Sequence, residues 1–123
     1  MDRKTEVKLE KYSVNNKTLF DEINSFVEEG ITSGEVMWSS EIHRISFVEI
    51  IENLLDDITY DNRIDQYNVI CDFRNNTIQD MDSGKYVIEV SYRQVNCLNT
   101  TRLVYRIQEV NATTAYDSVD FSI

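Results

Sequence analysis

With one histidine and two cysteines, the chain has few routes to covalent chemistry. To act as a base, His43 would need Cys71, Cys97 or a serine beside it, and no nucleophile signature surrounds any of these residues. Next to Arg44, at the start of a helical pattern, His43 reads as a solvated polar side chain. A zinc centre takes about four His or Cys ligands, and the three present here are not at ligand spacing. Carboxylates are plentiful in Asp56-Asp57 with Asp61 and Asp65, and in Asp80 with Asp82. Neither group follows the residue order of a calcium loop. Glycoside hydrolysis needs two carboxylates across a sugar cleft, but among 22 acidic residues some pair always fits, so abundance carries no weight. Only three glycines are present, and no phosphate loop, dinucleotide fingerprint or nucleophile elbow occurs. The expectation is a protein with no catalytic residues, no metal and no cofactor.

Charge narrows the partners. Twelve basic against 22 acidic residues leave a formal charge of -10. Such a field repels phosphate backbones and anionic lipid, so neither nucleic acid nor a membrane surface is an expected partner. No run of apolar residues is long enough for a membrane span or a signal peptide, which predicts synthesis in the cytosol. In that compartment Cys71 and Cys97 are expected to stay reduced. The four Asn-x-Thr sequons at Asn16, Asn75, Asn99 and Asn111 then read as turn chemistry, not as glycosylation sites. At 123 residues, 41% hydrophobic, the chain suits one domain that buries roughly two-thirds of its extended surface. The 13 aromatic residues fall mostly at inward positions and lack the basic interleaving of a base-stacking surface.

The elements that must position these residues follow from hydrophobic periodicity. Glu6 to Val14 alternate weakly, as an extended segment or edge strand. Thr18 with Asp21 suggests the start of a helix whose apolar stripe is Leu19, Phe20, Ile23, Phe26 and Val27, ended by Gly30. Val36 to Trp38 suggest a short strand. Ser39 or Ser40 can cap a second helix over residues 41–59, with Ile42, Ile45, Val48, Ile51, Leu55 and Ile58 on one stripe, widened by Phe47, Ile50 and Leu54. A stripe that wide predicts burial against more than one neighbour. Residues 61–65 read as a polar loop. Tyr67, Val69, Cys71 and Phe73 alternate as a strand, Asn75-Asn76-Thr77 and residues 80–84 as turns. Tyr86, Ile88, Val90 and Tyr92, then Leu103, Tyr105 and Ile107, mark the inward faces of two further strands. The predicted class is α+β: a small, mainly antiparallel sheet with two helices packed on one face and extended terminal arms. The division expected is an N-terminal arm (1–15), a core (16–110) and a C-terminal arm (111–123).

One stretch resembles a known signature. Tyr67, Val69, Cys71, Asp72, Asn75, Asn76 and Thr77 match the Y-x-V-x-C-D-x-x-N-N-T strand and turn of contractile tail sheath proteins, in the C-terminal sheath domain. An acidic turn (residues 80–84), a long strand (85–95) and a further strand (101–110) follow in that family's order, and the helix over residues 41–58 precedes them. Phe73-Arg74 and Gln94-Val95 depart from the family's usual Glu-Thr and Lys-Pro, and the family's members are several times longer. The resemblance implies a short, stand-alone, sheath-like component of a contractile tail or injection device, or a sheath initiator or terminator at the baseplate or neck, carried in the virion and assembled in host cytoplasm. It implies sheath, tube, baseplate or neck proteins as partners, homo-oligomerisation, and joining of subunits by arms that add strands to neighbouring sheets. Residues suited to such arms are Val7, Leu9 and Tyr12 at one end and Val119, Phe121 and Ile123 at the other.

Two rival readings differ in class. An acidic inhibitor that imitates DNA would present its charge on one continuous face, whereas Lys85, Arg93, Arg102 and Arg106 are interspersed in the strands. A cell-wall hydrolase would depend on a carboxylate pair, and a zymogram would reveal it.

Overall fold

The computed structural model describes residues 3–111. Four strands form one antiparallel sheet: β1 (Arg3–Tyr12), β2 (Ile64–Ile70), β3 (Lys85–Gln94) and β4 (Thr100–Asn111). Their order across the sheet is β1-β4-β3-β2, so the last strand lies between the first and the third. Helices α1 (Lys17–Thr32) and α2 (Glu41–Tyr60) pack on one face, and a single turn, α3 (Ile78–Asp82), precedes β3. The class is α+β, as the patterning predicts. Residues 3–12 of the expected N-terminal arm are therefore a strand of the chain's own sheet, paired without a break from Arg3↔Asn111 to Tyr12↔Arg102.

The core lies between the helices and the inward sheet face. Tyr86, Ile88, Val90 and Tyr92 of β3 and Leu103, Tyr105 and Ile107 of β4 are all buried, as their alternation requires. They meet Leu19, Phe20, Ile23, Val27 and Ile31 of α1 and Phe47, Ile51, Leu55 and Ile58 of α2. The Tyr105 hydroxyl crosses this core and donates to Asn24 Oδ1 at 2.9 Å, which gives a buried phenol its partner. On β2 both Ile64 and Val69 are buried despite their odd separation. A register shift between Ile64 and Gln66 inserts the extra residue that puts both on the core side.

Local structure departs from the sequence expectation at several places, including β2, which begins at Ile64 inside the expected loop, and α3, which takes the place of part of an expected turn. Asn16, not Thr18, caps α1, its Oδ1 accepting from the Leu19 N–H at 3.0 Å. The helix runs through Gly30 to Thr32, and the left-handed residue is Gly34 (φ 82°). Val36 to Trp38 form no strand: this loop is anchored by Trp38, fully buried edge-on against Phe47 at 5.7 Å. Its indole N–H has no hydrogen-bond partner among the described residues. Ser40 caps α2 as expected, accepting from the His43 N–H at 3.3 Å.

Candidate functional site

The motif from Tyr67 to Thr77 folds into a brace, and the geometry shows what each residue does. Val69 is buried, and Tyr67 and Cys71 pack partly against the core. After β2 ends at Ile70, Asp72 turns the chain, its carboxylate accepting from the Arg74 N–H at 2.9 Å and pairing with that guanidinium at 2.8 Å. Asn75 and Asn76 then sew this turn to β3. Asn76 is buried; its Oδ1 accepts from the Val87 N–H at 2.7 Å and its Nδ2 donates back to the Val87 carbonyl at 3.0 Å. Asn75 Nδ2 donates to the Ile70 carbonyl at 2.9 Å. Thr77 caps α3, accepting from the Asp80 N–H at 3.1 Å. The polar members of the motif are thus occupied in holding the β2–α3–β3 connection. Phe73 is the large apolar side chain of this stretch that projects, largely exposed.

The titrating groups here have structural causes. Hydrogen bonding to the Asp56 carboxylate, then burial, pushes the Tyr67 phenol up to about 12. Burial pushes the Cys71 thiol up to about 11, so it stays protonated and poorly nucleophilic at neutral pH. Both Cys71 and Cys97 are free thiols. Ion pairs with Arg106, Arg93 and Arg74 hold the carboxyls of Glu10, Asp65 and Asp72 below their ordinary range. Their contribution is present above the ordinary carboxylate range and is lost as pH falls through the lowered values. For Tyr67 the sign is opposite. Its raised value stabilises the fold fully below the ordinary phenol range, and the contribution disappears as pH climbs towards 12. A Tyr67→Phe variant is therefore expected to lose one late-ionising phenol from the absorbance titration at 295 nm and to unfold earlier in urea at pH 8. An unchanged titration curve would sink this assignment.

His43 is a structural side chain, its Nδ1 accepting from the Met37 N–H at 3.1 Å. Among the described residues no group of three or more His, Cys, Asp or Glu is placed to hold a metal ion, and no helix is long and apolar enough to cross a membrane.

What remains exposed is of two kinds. The first is the pair of sheet edges, β1 and β2. The β2 edge is short and bulged, a device that discourages strand addition. The β1 edge is ten residues long, in unbroken register, and contains no proline. Val7 and Leu9 turn inward against the chain's own core, and Tyr12 lies half-exposed under the Arg102 guanidinium at 4.7 Å. Val119, Phe121 and Ile123 lie outside the described residues.

The second kind is apolar surface on the helices, which periodicity alone assigned to the core. Ile42 is 75% exposed and Ile50 49%, with Ile45, Phe26 and Met37 also open to solvent. Between α1 and α2 lies a groove of about 650 Å³, floored by Gly30 and Phe47 and walled by Phe26, Val36, Ile42 and Ile50.

Charge is divided between the layers. Strand parity puts Lys4, Lys8, Lys85, Arg93, Arg102 and Arg106 on the sheet's outer face, with Glu6, Glu10 and Glu89 among them. The helices carry Asp21, Glu22, Glu28 and Glu29 on α1 and Glu41, Glu49, Glu52, Asp56 and Asp57 on α2, against Lys17 and Arg44. No protein-family model matches this chain, and comparison with curated proteins and with solved structures finds no significant likeness.

Proposed function

We propose that this protein is a non-enzymatic assembly module, a sheath-like structural component of a contractile tail that joins its neighbours by strand addition. The observation that carries the reading is the β1 edge: ten residues in continuous register with no strand on the second side among the described residues. An edge of that length offers a row of backbone donors and acceptors to another chain. The resemblance of residues 67–77 to the sheath signature supports the setting, with sheath, tube, baseplate or neck proteins as partners. In this arrangement β1 receives, and the donor is the segment carrying Val119, Phe121 and Ile123 of a neighbouring copy. Their two-residue spacing suits a strand with one apolar face.

Truncation after Asn111 tests this, because every described element is retained. The full chain is expected to form oligomers in analytical ultracentrifugation at micromolar concentration. The truncated chain should be monomeric and should bind a synthetic peptide of residues 112–123. Equal self-association of the two chains, or strict monomers of both with no peptide binding, would remove the proposal.

A second reading draws on the charge division. The basic side chains that interrupt the acidic sequence sit on the outer sheet face, so the helix face is more uniformly negative than the sequence order suggests. That favours an acidic inhibitor that occupies the DNA site of a nucleic-acid enzyme. Competition between this chain and duplex DNA for a nuclease or polymerase, with the chain monomeric throughout, is the result that would select it.

A further inference from the structure

The groove between α1 and α2 belongs to neither the sheet edge nor the motif. We infer that it is a docking site for a cationic amphipathic helix of a partner protein. Its dimensions suit that occupant. From Phe26 on α1 to Ser33 just past its end, and from Ile42 to Ile50 on α2, each wall runs roughly 10–12 Å, about two helical turns. A guest helix of that length presents apolar anchors at i, i+3 or i+4, and i+7, which is how helices seat in apolar grooves. At Gly30 the floor is closed by the Phe47 ring packed directly against the helix backbone, so close that a Cβ would stand 2.4 Å from Cε1.

Charge selects the sign of the guest. Glu29 and Glu35 line the groove, and among the described residues no lysine or arginine does. Arg44, the nearest cation on α2, is turned to the Trp38 carbonyl at 2.5 Å and the Tyr86 ring. A guest with apolar anchors and flanking Lys or Arg therefore gains from both walls, whereas an acidic helix of equal hydrophobicity meets repulsion. The same sign disfavours the acid-rich helix face of a second copy.

The test uses the full chain and two labelled synthetic helices of about 14 residues, enough for some helical character. Both carry Leu at the anchor positions; one has Lys and Arg on its other face and the other has Glu. Fluorescence anisotropy is expected to show the basic helix binding at least tenfold tighter than the acidic one, with the preference shrinking in high salt. The Ile42→Asp/Ile50→Asp double variant should weaken the basic helix at least tenfold. Both side chains are exposed, so its circular dichroism should match the parent, and its self-association should be unchanged. Equal binding of the two helices, no binding of either, or insensitivity to the double variant overturns the inference. So does loss of self-association in that variant, which would make a second copy the occupant. A tenfold gain in binding on truncation after Asn111 would assign the groove to the chain's own C-terminal segment, and would equally overturn it.

Discussion

Replacing Asn76 with alanine is expected to lower the free energy of unfolding by about 3 kcal/mol, read as a shift in the urea midpoint at constant slope. The side chain is buried and closes a two-way pair with the backbone of Val87, accepting at 2.7 Å and donating at 3.0 Å. It donates as well to the Asp72 carbonyl at 3.2 Å. Alanine leaves the Val87 N–H without its acceptor and the Val87 carbonyl with only Asn75 Nδ2 at 3.3 Å, while the Asp72 carbonyl keeps the N–H groups of Asn75 and Asn76. Each buried group left unsatisfied costs roughly 1–3 kcal/mol, and water reaching the less covered ones recovers part of the sum. Asn76→Asp separates the contributions. It keeps the acceptor for the Val87 N–H but sets a carboxylate against two carbonyls, so at neutral pH it should be at least as damaging as alanine. A loss below about 1 kcal/mol for alanine would show that solvent replaces the brace.

The second large effect lies at Gly30. A Cβ built there would stand 2.4 Å from Cε1 of Phe47 and 2.7 Å from Cζ. Ordinarily Gly→Ala inside a helix gains roughly 1 kcal/mol. Here the Phe47 ring is buried and held edge-on to Trp38, so it cannot swing clear without disturbing that pair. Overpacking of this kind costs roughly 1–3 kcal/mol, so Gly30→Ala should be a net loss. Gly30→Val adds two methyls and forgoes the helix gain, and should cost about 3 kcal/mol. Trp38 is the only tryptophan, so its emission reports directly on whether the ring pair has moved. A stabilised Gly30→Ala with unchanged emission would show that the helices part freely at this point.

How far the sequence foretold these results depends on the range of the forces involved. The inward faces of β3 and β4 were legible because a two-residue period survives any change of neighbours. Ser40 was legible as a cap because it stands directly before an apolar-periodic run. Thr18 lost to Asn16 because both lie within one turn, and only backbone geometry decides which side chain reaches the Leu19 N–H. Gly30 looked like a terminator because glycine so often ends helices, whereas its reason here is the ring of Phe47, distant in sequence. Ile64 was hidden by the register shift, which breaks parity for one residue and then restores it. The motif over residues 67–77 was visible as a pattern, but not that its asparagines serve Val87. Least legible was the groove. A wide apolar stripe has the same periodicity whether its flank meets the chain's own core or solvent, and Ile42 and Ile50 fall on the flank that does not meet it.

The order β1-β4-β3-β2 also sets a timetable for the nascent chain. The first described strand waits for the fourth, since among the described residues β1 pairs with β4 alone. Until residues 100–111 have emerged, β1 has no partner and β3 lacks one of its two neighbours. Pairings of such long sequence separation must close a large loop before any contact rewards them, so folding should be slow for a domain of this size. During that interval the alternating residues of β1 and β3 are open to pairing with other nascent copies on the same message. Slowed translation at any point before β4 has emerged should therefore lengthen exposure to aggregation and lower the yield of folded protein.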